Sequence, residues 1–264
     1  MITIPENRVF VNRPKTFFHP EESMQKQGLN RTQMKLIAIF AMVLDHTAMF
    51  LLSPKTYPEL FGLYAMMRTI GRLTGPTMFF FLAEGFRYTS SRGKYALRLL
   101  VFGLISQIPY ALVHRHGLLD PELNVILTLF VAFLILEVSE RIENRGLNLL
   151  VVFGLMLMTT PFDWGLVGPL LAWFFWRHAD NRPLQQRFYA FVCVLMTVMP
   201  CLHYLQIGEP WYLEIWQLGM FLFLPFLSLY NGKAGQGGFV GRWLFYLFYP
   251  VHLLVICLIL GLPH

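Results

Sequence analysis

Apolar residues run through this chain in long, nearly unbroken stretches. The short alternation of a half-buried strand and the single apolar stripe of a surface helix are both missing. The stretches cover roughly residues 33–52, 60–86, 95–113, 123–138, 147–160, 164–176, 188–204, 212–229 and 242–262. A helix needs about 20 apolar residues to cross a bilayer. The pattern therefore predicts an all-α, polytopic integral membrane bundle of about nine helices, with eight or ten also compatible. The second stretch is longer than one crossing requires, and Gly71, Gly75 and Pro76 interrupt it. It predicts a broken helix whose freed backbone faces protein or a cavity. Residues 1–30 are polar, contain Pro5, Pro14 and Pro20, and lack the apolar core of a signal peptide. They read as a cytoplasmic tail ahead of a membrane-embedded domain over 31–264.

Charge adds an orientation. Only 14% of residues are charged, against about 25% in a soluble domain, so a water-soluble core is excluded. Of the 21 Lys and Arg, seventeen fall before the first stretch, at its start, or in alternate loops. Lys55 and Arg115 fall in the opposite loops, and Arg68 and Arg72 lie within a stretch. The positive-inside rule places the N-terminus in the cytoplasm. The cations sit in short loops rather than in a polar-interleaved patch, which argues against nucleic acid as a partner. Cys193, Cys201 and Cys257 have no metal spacing and lie in apolar runs. They read as buried thiols, and no metal site is expected.

The candidate chemistry lies where polar side chains interrupt the apolar runs. The first stretch opens on Lys35 and reaches Asp45-His46 after nine apolar residues. An ionised Asp near mid-membrane costs roughly 2.5–3.5 kcal/mol, so such a residue faces a protein interior or a wet cavity. With the N-terminus inside, Asp45, His46, Arg68, Arg72, Gln107 and His252 fall at comparable depth on four helices. Each also has a structural reading. Arg68 can snorkel to the outer face, Arg72 can simply pair with Asp45, and either histidine can be a hydrogen-bonded core residue. Glu84 lies nearer the inner face, where Arg87 or Lys35 can pair with it. Adjacent residues on a helix face apart, so Asp45 and His46 are expected to address different neighbours.

Several of these residues sit in motifs that resemble the TraX family, membrane proteins named for conjugal-pilus pilin acetylation. The motifs are Met34-Lys35-Leu36-Ile37-Ala38 leading to Asp45-His46, Gly71-Arg72 before Gly75-Pro76, the aromatic run Phe79–Phe86, Arg98-Leu99-Leu100 through Ser106-Gln107-Ile108-Pro109, and Phe248-Tyr249-Pro250-Val251-His252-Leu253. The chain resembles the acyltransferase-3 superfamily more distantly. There, a basic residue separated by ten others from a histidine on the first helix is implicated in acyl-CoA use, the spacing of Lys35 and His46.

The resemblance implies acetyl transfer from acetyl-CoA to an amine or hydroxyl presented at the bacterial cytoplasmic (inner) membrane. The acceptor is a pilin, a surface glycan or a lipid. The physical reading of the same residues takes His46, His252, Asp45 and Arg72 as catalytic, by direct transfer or through an acyl-His intermediate, with Lys35, Arg31, Arg68 and Glu84 binding the donor and Gln107 and Tyr249 the acceptor. Two other functions fit the same residues: a small-molecule transporter, since broken helices with mid-membrane charges also mark permeases, and a non-enzymatic pilus-assembly factor. The enzymatic reading requires the imidazoles of the first and last stretches to meet inside the bundle.

Overall fold

The computed structural model describes residues 28–115, 117, 120–235 and 238–261, with residues 236–242 carrying no described side chains. Residues 1–27 of the expected tail lie outside the described residues. The elements are α1 (Arg31–Leu51), a 3-10 turn (Pro58–Leu60), α2 (Phe61–Gly71), α3 (Thr74–Tyr88), α4 (Arg92–His114), α5 (Val125–Arg141), α6 (Arg145–Met158), α7 (Val167–Arg177), α8 (Arg182–Gln206), a long 3-10 segment (Trp211–Leu222), α9 (Phe223–Ser228) and α10 (Gly238–Leu260). Among the described residues, β pairing is limited to one isolated bridge between Leu29 and Tyr230. Among the described residues, four helices are long and apolar enough to cross a membrane: α1, α4, α8 and the Trp243–Leu260 part of α10.

Asparagine side chains cap α1, α5, α6 and α8. Asn30 and Gln33 form a reciprocal capping box on α1, each side chain accepting the other's backbone N–H at 3.0 Å. Asn124 Oδ1 accepts the Ile126 N–H at 3.0 Å on α5. Asn144 and Asn181 cap α6 and α8 in the same way.

The second apolar stretch is broken, as its glycines predict. It divides between α2 and α3 at Arg72-Leu73. Hydroxyls stabilise the break, with Thr74 Oγ1 donating to the Ala38 carbonyl at 3.0 Å and Thr77 Oγ1 to the Leu73 carbonyl at 2.7 Å. Residues 74–83 of α3 are buried on every side, so α3 runs through the middle of the bundle. Phe79 and Phe86 join Phe133, Phe175, Tyr189 and Phe223 in an aromatic core.

The charged loops gather at one end of the bundle. Arg31 pairs with Glu84 at 2.9 Å, Arg87 with Asp180 at 3.2 Å and Arg92 with Glu137 at 3.3 Å. Backbone bonds fasten the start of α1 to the loop before α10, through Leu29 N–H to Leu229 C=O at 2.8 Å and Asn231 N–H to Leu29 C=O at 3.0 Å. The start of α1 and the loop before α10 are therefore held together at the basic end.

α1 and α2 approach closely because residue 71 has no side chain; a Cβ there would overlap the Asp45 carboxylate. Gly71→Ala is expected to cost about 1–3 kcal/mol through overpacking, read as a lower thermal unfolding midpoint in detergent. Gly62→Ala, whose Cβ meets open space, is expected to hold or raise the midpoint. Equal midpoints for the two variants would show that the α1–α2 contact does not constrain the fold.

Candidate functional site

A cavity of about 180 Å³ lies where α1, the α2–α3 break, α4 and α10 converge. Asp45, His46, Arg68, Arg72 and Tyr249 line it, and all five are sequence candidates. Asp45 is 7% exposed and bridges two guanidinium groups, with Arg68 Nη1 at 2.8 Å and Arg72 Nη2 at 3.1 Å. The ring of Trp216 covers both cations, 4.1 Å from Arg68 Cζ and 4.5 Å from Arg72 Cζ. Such stacking on a desolvated cation contributes up to about 2 kcal/mol. Arg68 therefore does not snorkel. Arg68 Nε and Arg72 Nε are buried and donate to no acceptor among the described residues.

His46 and His252 meet. Their rings lie edge to edge in nearly one plane, with centroids 4.8 Å apart and planes 9° apart, and Nδ1 of His46 lies 2.5 Å from Nε2 of His252. Hydrogen-bonding logic sets the direction of this contact. Nδ1 of His252 lies 2.9 Å from the Phe248 carbonyl, which can only accept, so that nitrogen carries a hydrogen. In neutral His252, Nε2 is then an acceptor, and His46 Nδ1 donates to it. Nε2 of His46 is left with its lone pair. His46 lines the cavity, whereas His252 stands behind it as the group that fixes its tautomer.

Asp45 turns to the arginines and His46 to His252, so these neighbours in sequence address different helices. Glu84 differs from expectation. It takes Arg31 at 2.9 Å and the Tyr230 hydroxyl at 2.7 Å, while Arg87 turns to Asp180. Arg31 and Glu84 thus form a clamp at the basic end, away from the cavity. Lys35 Nζ lies over the rings of Phe81 and Phe245 at 5.9 and 5.7 Å, also near that end.

Gln107 does not reach the cavity. Its Nε2 donates to the Glu122 carbonyl at 2.9 Å, and its Oε1 accepts from the Asn124 backbone and side chain at 3.1 and 2.8 Å. It positions the cap of α5. Tyr110 and His114, three and seven residues further along the same face of α4, line the cavity instead.

Asp163 and Trp164 also line the cavity; sequence patterning puts Asp163 in a turn and Trp164 at the start of the next apolar stretch. That turn folds back into the bundle. Asp163 N–H donates to the Leu123 carbonyl, and Thr128 Oγ1 donates to the Asp163 carbonyl, at 2.8 and 2.7 Å. Trp164 adopts a left-handed backbone with φ 64°, a strained state for a bulky residue and one that concentrates at functional sites. Trp216 was equally hidden, inside what read as an ordinary helix. The available sign was aromatic surplus beside uncompensated arginines. Cys193 and Cys257 are buried free thiols, and Cys201 is half-buried.

Together these features define a helical membrane protein with an ionisable core: a histidine pair and an Asp–Arg cluster around one internal cavity. The chain belongs to the TraX family, whose model matches residues 30–260, from the cap of α1 to the last residue of α10. It is 33% identical over 233 residues to the protein named "Probable fimbrial assembly protein FimC, serogroup H1" from Dichelobacter nodosus, covering 85% of this chain and 93% of that protein. No solved structure matches significantly.

The charge cluster yields a stability test. Asp45→Asn leaves two buried cations without a counter-ion, which is expected to cost about 3–5 kcal/mol. Asp45→Asn combined with Arg68→Met keeps the cluster's net charge and is expected to recover part of that loss. Thermal unfolding in detergent reads both. Additive losses in the double variant would show that the ion pair is energetically idle.

Proposed function

We propose that this protein is a multi-pass acetyltransferase of the bacterial cytoplasmic membrane. It moves an acetyl group from acetyl-CoA to an amine or hydroxyl presented at the membrane, with a pilin as the first acceptor to test. In this reading the chain crosses about nine times, counting the broken and short helices, and its N-terminus is cytoplasmic. The clustering of Arg31, Arg87 and Arg92 at one end supports that orientation, because alternate loops meet there.

The observation that carries the proposal is the His46–His252 contact, with His46 sharing a cavity with Arg68 and Arg72. The acceptor gives its proton to His46 Nε2 and attacks the thioester carbonyl. The oxyanion develops beside Arg68 and Arg72, whose Nε–H groups meet no acceptor among the described residues. In a cavity walled by apolar helices such charges act more strongly than in water. The tetrahedral species collapses with cleavage of the C–S bond, and the departing CoA thiolate takes the proton back from His46. His252 holds the imidazole in the tautomer that keeps Nε2 basic. Asp45 keeps the arginines from repelling one another and aims them. Tyr249 fits a role in bounding the acceptor side of the cavity.

The name of the Dichelobacter nodosus relative favours a second reading, a pilus-assembly factor without chemistry. That reading predicts tolerance at the histidine pair. His46→Ala is expected to lower acetyl-CoA-dependent transfer by about 10²–10⁴-fold with membrane insertion unchanged. His252→Ala is expected to lower it less, since the base itself remains. Mass spectrometry of pilins and surface glycans from cells carrying each variant reads the loss of acetyl groups. Full acetylation with both variants refutes the catalytic assignment, and normal pili with both would favour the assembly factor.

A further inference from the structure

A second, narrower cavity of about 60 Å³ lies between the basic end and the histidine cavity. Its lining includes Lys35, Phe81, Tyr95, Phe245 and Met78. Met78 also lines the histidine cavity, and it is the one residue that the two linings share. The cavities thus abut along α1 and α3. Lys35 marks the outer mouth on α1, and His46 lies eleven residues on, about 16 Å along the helix.

Met78 is 8% exposed and stands on the buried helix at the centre of the bundle. An unbranched thioether with three rotatable bonds changes rotamer at low cost. Its neighbours on α3 are bulky aromatics held in edge-to-face contacts, such as Phe80 on Phe175 and on Phe81. Met78, which borders both spaces, can swing aside without repacking those rings.

We propose that Met78 is the gate of an acyl-donor channel running from Lys35 to His46, closing behind the thioester once the acyl group lies beside the imidazole. The inference rests on the acetyl-transfer reading. The narrow cavity fits the donor's thin, mostly apolar arm. Lys35 stands at the mouth, where the arm's phosphate end emerges. The wider cavity takes the acyl group and the acceptor. The gate keeps the thioester from water on the cytoplasmic side and limits the acyl group to a size the histidine cavity holds.

The test uses the full chain, purified, with Cys193, Cys201 and Cys257 replaced by Ala and Met78→Cys introduced. The probe is the mixed disulfide of CoA with thiopyridine. The thiolate at position 78 attacks the CoA sulfur, forming a protein–CoA disulfide and releasing thiopyridone. Intact mass is expected to show one CoA per chain, suppressed by excess acetyl-CoA, and none with Leu104→Cys, a position 57% exposed on the outside of α4. In parallel, Met78→Trp is expected to lower kcat/KM for acetyl-CoA by roughly tenfold or more. Met78→Ala is expected to raise the use of butyryl-CoA relative to acetyl-CoA. Met78→Leu controls for folding through its unfolding midpoint. If the wild type turns over acetyl-CoA while position 78 stays unlabelled and the Trp and Ala variants keep its rate and donor profile, the gate is overturned and acetyl transfer stands. If the wild type turns over no acetyl-CoA and position 78 ignores the CoA disulfide, both fall.

Discussion

The structure depends on one carboxylate, Asp45, and its two guanidinium partners. Three ionised side chains placed singly at mid-membrane would cost roughly 8–10 kcal/mol. Asp45 offsets much of this by pairing with Arg68 through one oxygen and accepting from Arg72 on the other. The geometry dictates what surrounds it. The α1–α2 approach needs a residue without a side chain at position 71. The two arginines lie four residues apart, so one face of α2 presents both to the same carboxylate. Trp216 then closes over the cations, and the segment carrying it reaches α2 because Gly219 lies against the Thr69 backbone. A 3-10 segment as long as Trp211–Leu222 is uncommon. Here it trades regular hydrogen bonding for delivery of an indole to a cation pair.

The histidine pair is organised differently. It holds no compensating carboxylate within hydrogen-bond reach among the described residues. A backbone carbonyl, that of Phe248, sets the order of donors and acceptors down to His46 Nε2. A carbonyl orients without adding charge, so the pair stays a neutral relay beside a charged cluster. Two nearby groups thereby keep separate duties, with the arginines available to stabilise a negative centre and the imidazole available to accept a proton.

Much of this was legible in the chain. Nine apolar stretches map onto the helices, the second divides at its glycines, and Arg72 finds Asp45. What was hidden has physical causes. α6 and α7 are 14 and 11 residues long, and their connecting turn re-enters the bundle and carries Asp163 and Trp164 to the cavity. Hydropathy sees only a polar break there. Glu84 was expected to choose between Arg87 and Lys35, both near in sequence or depth. Arg31 wins through the clamp between the start of α1 and the loop before α10, a contact across most of the chain. Gln107 shares the azimuth of Tyr110 and His114, but it lies about one and two turns short of them along α4. Its amide turns to Asn124, and the cavity is reached by Tyr110 and His114 on the same helix.

Azimuth explains why the basic end matters to a site far from it. Asp45 and His46 project about 100° apart around α1, so this single helix aims a carboxylate at α2 and an imidazole at α10. A small axial rotation of α1 would spoil both contacts at once. Apolar packing against lipid does little to resist such a rotation, because one apolar face serves there as well as another. Directional bonds do resist it. The Asn30–Gln33 capping box, the Leu29–Leu229 and Asn231–Leu29 backbone bonds and the Arg31–Glu84–Tyr230 cluster fix the rotation of α1 where it starts. The Thr74–Ala38 bond holds it midway. Arg31 and Glu84 thus act on the Asp45 and His46 contacts through the helix they hold.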